Sequence, residues 1–207
     1  MPLQNRVTPE GTIVAVPARG TMMGNRGGCF HTAGRTLASR PYASRQWICC
    51  KLSFKGRRRT VMSPGRYTEL FFLDEATALA AGHRPCFECR RADAVRFAEV
   101  WRRRTKSTRP PTAPEMDAIL HRDRITPGTH EKRTHVAGPS GLPDLAFVRH
   151  AGEPHIIWHN TLRRWTPGGY DPAAIPIPDR PLVILTPATV VAQLANGYTA
   201  SHHPSLT

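Results

Sequence analysis

The residues best equipped for chemistry are Cys86 and Cys89, two positions apart in the run Arg84-Pro-Cys-Phe-Glu-Cys89. Thiolates at that spacing can grip one metal ion from one side, and a zinc tetrahedron then needs two further nitrogen or sulfur donors. The upstream candidates are Cys29, His31, Cys49 and Cys50. A C-x-x-C pair also suits thiol redox chemistry, but redox pairs sit where a strand starts a helix, and this pair follows a helix end. Metal is favoured. Five cysteines, odd in number and uneven in spacing, do not resemble a secreted disulfide framework. The expected compartment is a reducing cytoplasm, where clustered thiols favour metal over disulfide.

The stretch Thr68–Arg91 must position that pair. Leu70 to Leu73 read as a short apolar strand, and Asp74 stands where an N-cap oxygen can accept a free amide of the first helical turn. Gly82 occupies the left-handed C′ position, with Pro85 beyond the helix end. Upstream, Gln46–Phe54 alternates as a strand with Ile48, Cys50, Leu52 and Phe54 on one face. Trp47, Cys49, Lys51 and Ser53 take the other. Cys50 therefore points inward, as a buried thiol or as a ligand beneath a hairpin. That hairpin is expected to turn at Lys55–Arg59 and return through Thr60, Val61 and Met62.

The remaining chain reads as many short elements, consistent with twenty prolines and sixteen glycines. Thr12–Val16 is an expected strand, and the glycine-rich Arg19–Arg35 an expected loop. Arg90–Arg104 carries Ala94, Phe97, Ala98 and Trp101 at helical spacing. Thr112 and Glu115 form a capping box for a short helix with Met116, Ile119 and Leu120 on one side. Thr126–Pro143 is expected to be a loop or joint. Leu145–His150, His155–His159, Leu162–Trp165 and Leu182–Leu185 read as strands, and Thr186-Pro187 opens a last helix through Leu194, closed by Gly197. The tail from Ser201 is expected to fray. The expected class is α+β, with a metal-binding module over residues 1–125 and a smaller β-rich region over 126–207, the two able to pack as one domain.

A hydrophobic content of 40% with 21% charged residues fits a soluble globular protein, and no window approaches the roughly 18 apolar residues of a membrane span. The N-terminus lacks a charged segment followed by a long apolar run, so no signal peptide is expected. The net charge of +14 and pI near 10.7 point to polyanions, nucleic acid above all. Arg57, Arg58, Arg59, Arg84, Arg90 and Arg91 surround the thiol pair in sequence, and their planar forks suit phosphate oxygens. Trp47, Phe87 and Trp101 are candidates to stack on bases, with core packing the stronger reading for Trp101. No motif for sequence-specific readout is present. A rival reading is a metal-dependent nuclease built on His121, Asp123, His130, His135, Asp144, His155 and His159, although their spacing fits no HExxH pattern. A third is a structural or protein-binding module whose charge is incidental.

The segment Glu75-Ala-Thr-Ala-Leu-Ala-Ala-Gly82-His-Arg84-Pro85-Cys86-Phe-Glu-Cys89 resembles the second half of the Ada-type metal-binding domain, which reads EALAAG, an aromatic residue, then RPC-x-x-C after a short strand. The resemblance covers about twenty residues firmly and Ser44–Arg91 loosely. It implies one structural zinc held by four cysteines, or by three and a histidine, and contact with DNA. It implies the ligand set Cys86, Cys89, Cys50 and His31, with Cys49 as first substitute. The family's first cysteine pair is a few residues apart, whereas Cys49 and Cys50 are adjacent and face opposite sides of a strand, so one of them binds. The family also has members in which a zinc-bound thiolate takes a methyl group from a DNA phosphotriester, a role that would fall to Cys49 or Cys50.

Overall fold

A helix whose two sides both meet apolar walls cannot carry large side chains all round, and Glu75–Ala80 shows the result. The computed structural model describes residues 1–58 and 60–207, and in it this helix, EATALA, has all six residues buried. Ala76, Leu79 and Ala80 join one hydrophobic cluster, while Ala78 and the following Ala81 join another. Its start and stop follow from the sequence. Asp74 accepts a hydrogen bond from the Thr77 amide at 2.8 Å, and Gly82 adopts φ +91°. An added Cβ at Gly82 would also meet the Arg124 side chain at 2.6 Å.

The two walls are six-stranded sheets. The first is built from β1 (Arg6–Val7), β2 (Ile13–Val14), β3 (Met22–Arg26), β4 (Trp47–Lys51), β5 (Leu70–Phe72) and β6 (Arg84–Pro85), with the helix above, α1, between β5 and β6 in the chain. Its spatial order is β2-β1-β5-β3-β4-β6, parallel at β1/β5 and β4/β6 and antiparallel elsewhere. Two longer helices follow, α2 (Arg91–Thr105) and α3 (Ala113–Arg124). The second sheet comprises β7 (His135–Ala137), β8 (Phe147–His150), β9 (Glu153–Trp158), β10 (Thr161–Thr166), β11 (Gly169–Pro176) and β12 (Leu182–Ile184), and α4 (Ala188–Ala195) comes next. That sheet is antiparallel throughout, ordered β11-β10-β9-β8-β12-β7. The class is α+β.

The larger cluster runs from Leu73 to Leu206 and takes in α1, α2, α3, the second sheet and α4, so apolar packing crosses residue 125 without a break. The capping box at α3 forms, with Glu115 accepting from the Thr112 amide at 2.7 Å and from its hydroxyl at 2.9 Å. At α4 the Thr186 hydroxyl accepts instead from the Phe147 amide, and the helix start is capped by Asp123, which accepts from the Thr189 amide at 3.0 Å.

Several expectations need correction. Met22–Arg26, read as part of a loop, is the strand β3 between β5 and β4. Its Gly24 lets the sheet close, since a Cβ there would lie 2.2 Å from the Ile48 carbonyl oxygen. Among the described residues no hairpin forms beyond β4, which pairs with β3 and β6, and Thr60–Met62 is not a strand. The 126–143 stretch contains β7, and β11 was missed because its prolines look unlike a strand. An edge position tolerates them. The tail is anchored rather than frayed. Ser201 donates its amide to Glu75 at 2.9 Å, His203 donates its amide to Asp74 at 2.9 Å, and Leu206 is buried.

Candidate metal centre

The parallel pairing of β4 with β6 brings the two halves of the cysteine set together. Cys49 lies opposite Pro85, and the Cys86 amide donates to the Cys49 carbonyl at 3.0 Å. From there the chain makes one turn, Cys86 to Cys89, closed when the Arg90 amide donates to the Cys86 carbonyl at 2.9 Å. The sulfurs of Cys50, Cys86 and Cys89 all lie within 4.8 Å of one another. Zinc–sulfur bonds of about 2.3 Å in a tetrahedron need sulfurs about 3.8 Å apart, so small adjustments bring these three onto one ion. They are close enough to hold a metal.

Proton sharing among the three is uneven. Hydrogen bonds to Cys86 and Cys89 push the Cys50 thiol upward. The same bond from Cys50 brings Cys86 down to about 5, helped by the amides of Cys89 and Glu88, the latter 3.4 Å from its sulfur. Cys89 is also lowered, by Cys50 first and by the Lys51 backbone. Cys86 and Cys89 therefore give up their protons to an arriving cation more readily than Cys50 does.

All three cysteines line a cavity of about 520 Å³. Its walls include Met23, Asn25, Ile48 and Phe71, and Lys51, Arg57 and Arg58 bring positive charge. The β3 part of this wall escaped sequence reading. Met22-Met-Gly-Asn-Arg26 shows no apolar/polar alternation, so it carries no strand signal in the sequence.

The expected face of β4 is reversed. Trp47 and Cys49 are buried at 2% and 0% exposure, whereas Ile48 and Cys50 are half-buried on the cavity side. The larger residue Trp47 takes the inside and Arg90 occupies the space beside Cys49, donating to its sulfur at 3.5 Å. Burial raises the Cys49 thiol, and it is not one of the three clustered donors. Cys50 is therefore the one of the adjacent pair that joins the C-x-x-C.

His31 does not join them. Its Nδ1 accepts from the Thr68 hydroxyl at 2.7 Å and its Nε2 lies 3.2 Å from the Ser63 carbonyl, so both ring nitrogens are engaged away from the cluster. Cys29 packs beside His31, 3.7 Å from Nδ1, and is likewise outside. The histidines of the second half form no alternative. Among the described residues no second group of three His, Cys, Asp or Glu donors lies within metal-holding distance. Asp123 caps α4, and His159 pairs with Asp144 on the surface.

The arginines divide into two groups. Arg84 is 1% exposed and grips Asp117 with two bonds, 2.8 and 2.7 Å. Arg90 is 5% exposed and bridges Glu75 at 2.7 Å and Asp93 at 2.8 Å. Breaking a buried pair of this kind costs about 3–5 kcal/mol, so neither side chain is a phosphate contact. Arg58 and Arg91 are exposed, and Arg57 is exposed but paired with Glu88 at 2.6 Å. Arg59 lies outside the described residues. Trp47 and Trp101 are core residues and Phe87 packs against the larger cluster.

No helix among the described residues is long and apolar enough to cross a membrane. Comparison of the chain with protein-family models, with curated proteins and with solved structures gave no match.

Proposed function

We propose that the chain is a zinc-binding protein in which Cys50, Cys86 and Cys89 hold one Zn²⁺ and the basic surface around them docks the phosphate backbone of nucleic acid, DNA before RNA. The observation that carries this reading is the meeting of three sulfurs on the wall of a cavity that also presents Lys51, Arg57 and Arg58. Zinc suits an all-thiolate donor set, and amides directed at the sulfurs steady such ligands. Three protein ligands leave one position for a group entering from the cavity, an arrangement of zinc sites that take a ligand rather than of closed structural sites. The net charge of +14 supplies the long-range attraction for a polyanion.

Metal analysis of protein purified under reducing conditions tests the reading. One zinc per chain is expected, with Cys50→Ser, Cys86→Ser and Cys89→Ser each losing it. Cys49→Ser and His31→Ala should keep it. Chelation should lower the melting temperature of the wild type and leave that of Cys86→Ser unchanged. Wild-type protein that holds no zinc after loading and gel filtration, or Cys49→Ser as the variant that loses it, would overturn the assignment.

A further inference from the structure

On the opposite side of β4 from the thiols, Trp47 opens onto a second cavity of about 420 Å³. Three cations from distant parts of the chain meet there. Arg26 from β3 and Arg124 from the end of α3 are 2% and 1% exposed, and each guanidinium lies 4.1 Å from the Trp47 ring centre. Lys132 joins them. Its Cδ and Arg26 Nη2 lie 3.5 and 3.8 Å from where a Gly11 Cβ would stand, and its ammonium donates to the Ala80 carbonyl.

Among the described residues none of the three forms an ion pair with a carboxylate, although Asp117 acts on Arg124 and Glu10 on Lys132 from farther away. Arg26 donates to the carbonyls of Gly11 at 2.8 Å and Pro41 at 3.4 Å, and to His83 Nε2 at 3.4 Å. Arg124 donates to the carbonyls of Gly82 at 2.7 Å and Arg45 at 2.5 Å and lies 3.4 Å from His121 Nδ1, while its buried Nε has no partner. The acids nearby are committed elsewhere or exposed: Asp117 to Arg84, Glu10 to Arg149 at 2.7 Å, and Glu131 at the surface. A buried cation without a counter-charge costs several kcal/mol, and Arg26 and Arg124 are two such groups with half-buried Lys132 beside them. Burial accordingly brings Lys132 down to about 7, with Arg26 and Arg124 adding to the fall. The remaining wall is apolar, from Ile13, Leu37, Ala81 and Ile125, and the volume lies in the range of small-molecule sites.

We propose that this cavity is a binding site for a small organic phosphomonoester, its phosphate set against Arg26, Arg124 and Lys132 and its organic part against the apolar wall and Trp47. A dianion answers several converging cations better than a monoanion, and a cavity of this size leaves room beyond a bare phosphate.

Calorimetric titration in phosphate-free Tris buffer near neutral pH, at constant ionic strength, tests this with phenyl phosphate, inorganic phosphate and benzoate as probes. Phenyl phosphate is expected to bind saturably at one site per chain, at least tenfold more tightly than benzoate or inorganic phosphate. Lys132→Met should weaken it about tenfold, the loss of one charge-assisted contact. Arg103→Ala, which removes an exposed cation at the end of α2, should leave it unchanged. Glu10→Gln removes a carboxylate from the cavity wall that acts on Lys132 and should tighten binding several-fold, which keeps the question decidable if Lys132→Met fails to fold. Non-saturable binding, benzoate or inorganic phosphate equal to phenyl phosphate, equal affinity in folded Lys132→Met, or no tightening in Glu10→Gln would each overturn the proposal.

Discussion

His83 has no exposed surface and lies against Trp47 and Phe72, with ring centroids 5.1 and 4.7 Å away. Its Nε2 accepts from Arg26, which leaves Nδ1–H to donate to the Ala78 carbonyl at 3.2 Å. Burial first, and then Arg26 and Arg124, push the imidazolium form out of reach, so its proton affinity in the fold is well below 6.5. His121 is lowered to about 4 by burial and the same Arg124. The sign follows: below pH 6.5 the unfolded chain binds protons that the folded chain refuses, so stability falls as pH falls from there. Each pH unit below 6.5 over which His83 stays neutral in the fold costs about 1.36 kcal/mol of stability. Urea melts between pH 7 and pH 5 should show that slope, and His83→Gln should flatten it; an equal slope in the variant would remove His83 as the cause. At this scale the sequence was legible where a residue acts on its neighbours. Asp74, Gly82 and the Cys86/Cys89 pair all do so. It was opaque for His31, Arg84 and Arg90, whose partners Ser63, Asp117 and Glu75 are supplied by the fold.

At the scale of elements, β3 decides whether the first sheet closes. Gly24 faces the backbone of β4, and a methyl there would meet the Ile48 carbonyl at 2.2 Å and the Phe72 ring at 2.8 Å. Gly24→Ala should therefore destabilise the protein by about 3 kcal/mol, the range of overpacking against groups that cannot rotate away. Denaturant unfolding measures this. A loss near the 0.5 kcal/mol typical of surface substitutions would mean that the strands are free to separate. β4 is legible by its alternation and α2 by its helical spacing, α1, α3 and α4 by the signals at their ends, and β5, β8, β9, β10 and β12 as short apolar stretches. β3 and β11 carry glycine or proline for reasons of close approach and edge position, and those reasons exist only in the assembled sheet. The Cys50 face was misjudged for a related cause. Alternation separates two sides of a strand, but which side is inside depends on what packs there.

For the molecule as a whole, the excess of positive charge is distributed unequally between surface and interior. Arg26, Arg84, Arg90 and Arg124 are buried, so they add to the far field but make no exposed contact. The exposed set at the thiol cavity, Lys51 and Arg58, remains for phosphates. If they make two contacts, Lys51→Ala with Arg58→Ala should reduce the slope of log affinity against log salt for duplex DNA by about 2, at about 0.9 per phosphate. An unchanged slope would place the nucleic acid elsewhere on the surface. Composition made the charge obvious and left its arrangement hidden, since arginine in a sequence does not reveal whether a carboxylate waits beside it. The anchoring of the tail has a consequence in time. Asp74 and Glu75, both buried at the head of α1, receive hydrogen bonds from Tyr170, Tyr198, Ser201 and His203. During synthesis from the N-terminus those donors leave the ribosome well after α1, so the helix between the two sheets waits with its carboxylates hydrated until they emerge. The thiol site, whose C-x-x-C follows that helix, gains this support only once Ser201 and His203 have emerged.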